Sequence, residues 1–441
     1  MKRNLNLKVL CVVLLVVIVT SGFTEAQTTL SAGNMPDNIK ALLTDYSQHL
    51  NSGRTPHLSF YSGPMEKLVN ERRNYYSEFY SVGLQSKLTS IKSEFRMDDA
   101  NVTSTGNVYH VDVLEIVTMF GYPNLTNAED YPMISAAHRA ISQTDNDNVK
   151  RALEEYIAST TDAVNDSIVN GAETVFRVKH KIDIIETKKG QMQFVKDIFN
   201  EKEIDNGDGF DTINWVNGHF ARSKPDLTQM PDYVIYHTST DILGQQLLDD
   251  YTKAYGGVTP DSTGFTYNRS VASNYALTYT SDAESSNSRC PNNTNIFMNT
   301  AYYNQTSIYK NIWTVTTSTC NDCADFVSQA LRAGGFPTDS TWNYTGPYGG
   351  YPGTYTWKVF GVLASTPPAL GYYLNNILGA ISVYSSYTNL QVGDLMYDDG
   401  LHVVMVTRVS PFGYSGHTND RKNRPQDSIL NHFWHVLTNV P

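Results

Sequence analysis

The stretch TSTCNDCADFVSQALRAGG, residues 317–335, carries two cysteines three positions apart, aspartates on either side of the second, and then an apolar repeat that stops at paired glycines. Phe326, Val327, Ala330 and Leu331 recur at helical spacing, Asn321 or Asp322 is a good N-cap, and Gly334-Gly335 is a stop signal. Cys323 is therefore expected in the first turn of a short helix. There the unpaired backbone N–H groups and the positive end of the helix dipole favour thiolate over thiol. That is a reason to place a nucleophile at this position.

A nucleophilic thiol needs a base, which the fold can supply from a distant segment. LQVGDLMYDDGLHVVMVTRVS, residues 390–410, reads as two strands around the turn Asp398-Asp399-Gly400, so that His402, 79 residues after Cys323, opens the second strand. The following strand, FGYSGHTNDR, offers His417 and Asn419 on one face, either able to accept the second imidazole N–H of a base and fix its tautomer. His417 is the first choice, with Asn419 and Asp420 as alternatives. One oxyanion donor would be the backbone N–H of Cys323. Asn321 or Asp322 flanks it, and the second donor stays unassigned.

The other cysteines bear on the same thiol. Cys11 falls in a leader, which leaves Cys290, Cys320 and Cys323, an odd number for an exported chain. A Cys290–Cys320 disulfide with Cys323 as the thiol is expected. The rival, a Cys320–Cys323 bridge, would suit thiol–disulfide exchange, but no βαβ thioredoxin pattern surrounds it. No second ligand pair completes a zinc site, and no metal or organic cofactor is implied.

The motifs YNRSVASNYALTY, DCADFVSQALRAGGF, TW followed by TWKVF, VGDLMY, HVVMVT and GHTNDR occur in an order and at spacings that resemble the putative amidase domain family, a branch of the NlpC/P60 and CHAP-like papain-fold superfamily. The resemblance covers roughly residues 265–441, and its most specific element is the core DC-x-x-FVSQ-x-L-x-x-GG. It implies a helix carrying the nucleophile packed on an antiparallel sheet that carries the histidine and its polar orienter, with Cys323, His402 and His417 in those roles. Members commonly carry Asn where this chain has Asp325, which puts a negative charge near the thiolate.

The elements that must position these residues can be read along the chain. MKRNLNLKVLCVVLLVVIVTSGFTEAQ has the basic, apolar and small-residue parts of a secretory signal, with an apolar run too short for the roughly 20 residues that span a bilayer. Without residues 1–26 the chain keeps 30 basic against 43 acidic residues, a formal charge of −13 that opposes nucleic acid and anionic membranes. Residues 27–205 are expected to form a smaller α+β domain of the NTF2-like kind: helix patterns from Met35 to about Ile91, a strand at NVYHVDVLEIVTMFG, a helix at NVKRALEEYIASTTDAVNDSI, then two strands. His110 and His180 sit singly on its strands and read as partnered structural histidines. EIDNGDGFDTINWVNG misses the EF-hand spacing and reads as a solvated turn. Residues 206–262 read as a connecting region and 263–441 as the papain-like domain. Trp357 reads as a core anchor, and Trp342 as either an anchor or a groove wall.

The expected fold class is thus α+β, and the expected function is secreted or cell-surface cysteine hydrolysis of an amide or peptide substrate. Peptidoglycan is the substrate the resemblance suggests, and no integral membrane segment remains after signal cleavage. The alternative is an inactive cell-surface binding module on the same scaffold.

Overall fold

The computed structural model describes residues 28–30, 35–52, 63–200, 212–216, 219–222, 226–256, 264–280, 299, 302, 323–345, 347–348, 351–361, 368–398, 402–417, 421–425 and 430–438. They form a mixed α/β structure with two large antiparallel sheets. The stretch read as a secretory signal, Cys290, Cys320, Asn321, Asp322, Asn419, Asp420 and the first part of the acidic glycine-rich loop lie outside them.

The spine of the first sheet is β4 (Val108–Pro123), which pairs along its length with β5 (Ala172–Glu186). On its other edge β4 holds β3 (Asn101–Thr105) with its first half and β2 (Ser86–Phe95) with its second. Beyond β5 follow β6 (Met192–Asn200), β7 (Thr212–Val216) and β8 (His219–Arg222), and β1 (Thr28–Leu30) closes the far edge on β3. Strand alternation turns Val111, Val113, Val117 and Met119 inward, onto helices α1 (Asp37–Ser52) and α2 (Gly63–Glu78). The helical pattern read as far as Ile91 ends earlier. A π-helical turn, Phe79–Gly83, leads into β2, where Ile91, Ser93 and Phe95 face inward and Lys92 and Glu94 outward. The three-residue step from Leu88 to Ile91 suits a helix, and the strand accommodates it through a register shift between Leu88 and Ser90 in the pairing with β4.

Glu115 takes an inward position in this apolar row and is fully buried with Arg72, His180 and Asp197. Arg72 donates to Glu115 at 2.7 Å, and His180 reaches Glu115 through Nε2 at 3.0 Å and Asp197 through Nδ1 at 2.9 Å. Both ring nitrogens face carboxylates, so the imidazole is held as the cation and the quartet is neutral. Burial opposes ionisation, but Arg72 and His180 outweigh it and hold Glu115 down to about 2. Burial likewise opposes His180 protonation, and the two carboxylates raise it nonetheless. His110 is partnered by Asp183 at 2.7 Å. Both histidines are structural, as their isolation on strands suggested.

The second sheet runs β11 (Ile381–Tyr384), β16 (His432–Val436), β12 (Leu395–Asp398), β13 (His402–Val409), β14 (Phe412–Gly416), β15 (Arg421–Arg424). Every residue of β13 and β14 is buried, because both faces are covered. Val403 and Met405 pack with helices α7 (Arg269–Thr278) and α8 (Cys323–Ala333). Val404, Val406, Phe412 and Tyr414 pack with α3 (Pro132–Ser142), α4 (Asp147–Asn170) and α6 (Thr240–Tyr255). Residues 206–262, read as connecting, thus hold two strands of the first sheet, the helix α5 (Pro231–His237) and α6. Turn residues at either end of that segment masked the period in between: Leu243, Leu247 and Tyr251 recur every four positions and are all buried.

Candidate active site

Helix α8 begins at Cys323, in the position expected for a nucleophile, and the thiol residue is partly exposed where the next eight residues are buried. The helix stops as its glycines predict. Gly335 takes φ +110°, its N–H bonds to Arg332 O, and Phe336 N–H bonds to Leu331 O, the paired bonds of a Schellman cap. Gly334 lies so close to the ring of Tyr267 that a Cβ would meet it at 2.5 Å.

Asp325 is buried beneath the first turn. Its Oδ1 accepts from Trp357 Nε1 at 2.5 Å and from Gln329 Nε2 at 3.0 Å, and Gln329 in turn accepts from the Tyr275 hydroxyl. Lys358 lies beside it: burial lowers the ammonium pKa and the Asp325 charge opposes that lowering. Ser328 links both tryptophans, donating to Trp357 O and accepting from Trp342 Nε1 at 3.1 Å. Trp342 and Trp357 are completely buried, with ring centres 4.7 Å apart. Both are anchors, and the groove-wall reading of Trp342 is set aside.

His417 follows β14 and stacks on Phe326, ring centres 4.1 Å apart, so it lies against the helix one turn from Cys323. Its Nε2 is 2.6 Å from Tyr279 O, and a carbonyl can only accept, so Nε2 carries a proton. His402 opens β13 as expected, buried, opposite Asp398 in the register. Alternation gives it the parity of Val404 and Val406, whereas the register Met405↔Ser415 gives His417 that of Val403 and Met405, the side of α8. The strand order therefore brings His417 to the cysteine helix, and sets His402 at the head of the neighbouring strand. Asn419 and Asp420 lie outside the described residues, as does the Cys290–Cys320 pairing; among the described residues there is no disulfide.

A second polar cluster was not foreseen. Asp394, of the GD pair before β12, is buried and accepts from Arg269 at 2.5 Å and from the backbone N–H groups of Gln391 and Val436. His435 lies 3.1 Å from it and 2.7 Å from the Tyr255 hydroxyl. Burial opposes the Asp394 charge, yet Arg269 and His435 keep it low, while burial keeps His435 below its usual value. An Asp–His–Tyr row looks catalytic in outline, but all of it is sealed and it ties α6, α7, β12 and β16 together. The Gly-Asp pair was the available signal. Among the described residues no group of His, Cys, Asp or Glu could hold a metal, and no helix is long and apolar enough to cross a membrane.

Residues 266–436 match the family described as a putative amidase domain. No curated protein and no solved structure matches the chain. The carboxyl-terminal part of the chain is thus an amidase-like domain, and an amide is the substrate class that goes with it.

Proposed function

We propose that the chain is an exported cysteine hydrolase of amide bonds on a papain-like scaffold of the NlpC/P60 type, with cell-wall peptides as substrate and the NTF2-like amino-terminal half as its companion domain. The observation that carries the reading is the start of α8 at a partly exposed Cys323 within the segment matching the amidase family. The Cys323 thiolate attacks the amide carbonyl carbon. An imidazole takes the thiol proton and returns it to the departing amine as the C–N bond breaks: His402 in the reading from sequence, or His417, which is on the side of the sheet that meets α8. Water, deprotonated by the same imidazole, then cleaves the thioester, releasing the acid and restoring the thiol. In the first of these, His417 orients the base, its own Nε2–H fixed on Tyr279 O.

The stacking of His417 on Phe326 also favours an exchange of roles, with His417 as base. Iodoacetamide labelling of the full chain across pH tests both. Cys323 should be modified well below the ordinary thiol pKa of about 8.5, and Cys323→Ala should keep the fold and lose all turnover. The imidazole whose replacement by alanine returns the labelling midpoint to the ordinary thiol value is the base. An unreactive Cys323, or turnover by Cys323→Ala, would sink the hydrolase reading.

A further inference from the structure

The β13–β14 hairpin turns at Ser410 and Pro411, and side chains from the first half of the chain grip that turn from outside. Tyr131, just before α3, donates its hydroxyl to Val409 O at 3.0 Å. Phe412 N–H donates at 2.8 Å to Oδ2 of Asp232, the second residue of α5. Arg408 closes the turn from within by donating to Pro411 O. Asp232 has no exposed surface, and Tyr131, Ser410 and Phe412 are buried as well.

The carboxyl is poorly served in this seam. Its Oδ1 has no hydrogen-bond partner among the described residues, and neither has the hydroxyl of Tyr236, one turn further along α5. Among the described residues three phenols and one guanidinium act on it. Tyr131, Tyr236 and Tyr387 have their pKa values raised by burial and then by the charge of Asp232, so they stay neutral and offer no counter-charge. Arg408 is the cation that acts on Asp232, but its three nitrogens are taken by Pro411 O, Glu173 O, Thr174 Oγ1 and Asn423 O. A sealed carboxylate needs water or several donors, and this one receives a single N–H from outside its own residue. Burial therefore prevails over Arg408 and the Phe412 N–H, and the closed seam holds the neutral acid until about pH 8.

We propose that Asp232 is a pH-operated latch between the two halves of the chain: as the neutral acid it holds the β13–β14 turn shut on α5, and on losing its proton to solvent it draws water into the seam and frees the turn while both sheets stay folded. Water reaches the new charge only where α5 and the turn part, so ionisation and opening are one event. In the open turn the carboxyl titrates near its ordinary 3.8 and in the closed one near 8. Opening is thus most disfavoured below 3.8, gains as pH rises between the two values, and gains no more above about 8. The latch stands whether or not the hydrolase reading does.

Hydrogen exchange of the full chain from pH 5 to pH 9, read by mass spectrometry and corrected for the intrinsic rate, tests it at the amides of Phe412 and Gly413. Their protection should fall about tenfold per pH unit up to about pH 8 and then level. At each pH it should stay at least about tenfold below that of the β4 and β5 amides, the mark of a local opening. Asp232→Asn keeps an acceptor for Phe412 N–H and is neutral throughout, so its turn should hold one protection at every pH. The double variant His402→Gln, His417→Gln should keep the slope of the parent, which separates the latch from the histidines at the other end of the hairpin. Turn amides protected as strongly as those of β4 and β5, no fall with pH, the same fall in Asp232→Asn, or a slope lost with the two histidines would each overturn the proposal. The first two are read on the parent alone, and so do not depend on any variant folding.

Discussion

At the scale of single residues, the first turn of α8 sets what the thiol can do. Asp325 is a buried acceptor for two donors, Trp357 Nε1 and Gln329 Nε2. Asp325→Asn keeps an oxygen there and removes a negative charge near the thiolate, so the pH midpoint of Cys323 alkylation should fall while the urea midpoint of unfolding barely moves. Asp325→Leu leaves two buried donors without an acceptor, and equilibrium unfolding should show a loss of about 1–3 kcal/mol for each. The sequence marked Asp325 as unusual but gave no hint of its partners, since Trp357 is 32 positions away and only the packed fold brings its ring N–H to the carboxylate.

The buried quartet of the first sheet makes a sharper case. His180 has a raised pKa, so its contribution to stability is complete below its ordinary 6.5 and is lost as pH climbs through the raised value. Glu115 has a lowered one, so its contribution is complete above 4.5 and is lost as pH falls toward about 2. Calorimetry should find the quartet's stabilisation greatest between those limits. Glu115→Gln strands Arg72 and His180 and should cost about 3–5 kcal/mol. Each histidine and acid stood alone in the sequence, on strands whose pairing partner could not be read locally.

At the scale of elements, the cysteine helix was the most legible part of the chain. Its apolar stripe, its first residue and its glycine stop all emerge in the structure, because a short helix with a left-handed cap is specified by neighbouring residues alone. Gly335→Ala would force a side chain into φ +110° and should cost about 1–2 kcal/mol by chemical denaturation, without moving the pH profile of Cys323 labelling. The strands β12 and β13 were equally legible from alternation around their turn. What alternation left open was which face of β13 meets which layer. That depends on helices 150 or more residues earlier, so the sequence around His402 could not say how it sits relative to α8. The short helix α5 and the longer α6 escaped notice because Pro, Gly and Asp clusters flank them.

At the scale of the whole molecule, the two halves share a core. Val404, Val406, Phe412 and Tyr414 of the second sheet are buried by Leu243, Leu247, Ala136 and Leu153, all of which precede residue 256. Tyr131 donates its hydroxyl to Val409 O, Ser159 to Gln391, and Phe412 N–H donates to Asp232. Residues 263–441 expressed alone should therefore fail to give a cooperative melt or a monomeric elution peak, because one face of the sheet would stand bare. Burial pushes Asp232 up to about 8, against the pull of the Phe412 N–H and Arg408. Its stabilising effect is complete below 3.8 and is lost as pH rises to about 8, so Asp232→Asn should flatten the fall in stability across that window. Composition suggested two domains by length, but nothing local could reveal that a helical layer from one is the back wall of the other.

That shared wall bears on inheritance. The segment matching the amidase family begins at residue 266, yet the surface it needs is furnished by helices already made when that segment starts. A recombination event carrying residues 266–436 into a new gene would deliver the cysteine helix with an unlined sheet behind it. In this chain, a change of side-chain volume in α3 or α6 should be tolerated best when β13 or β14 changes to compensate, which a double-mutant cycle would read as coupling.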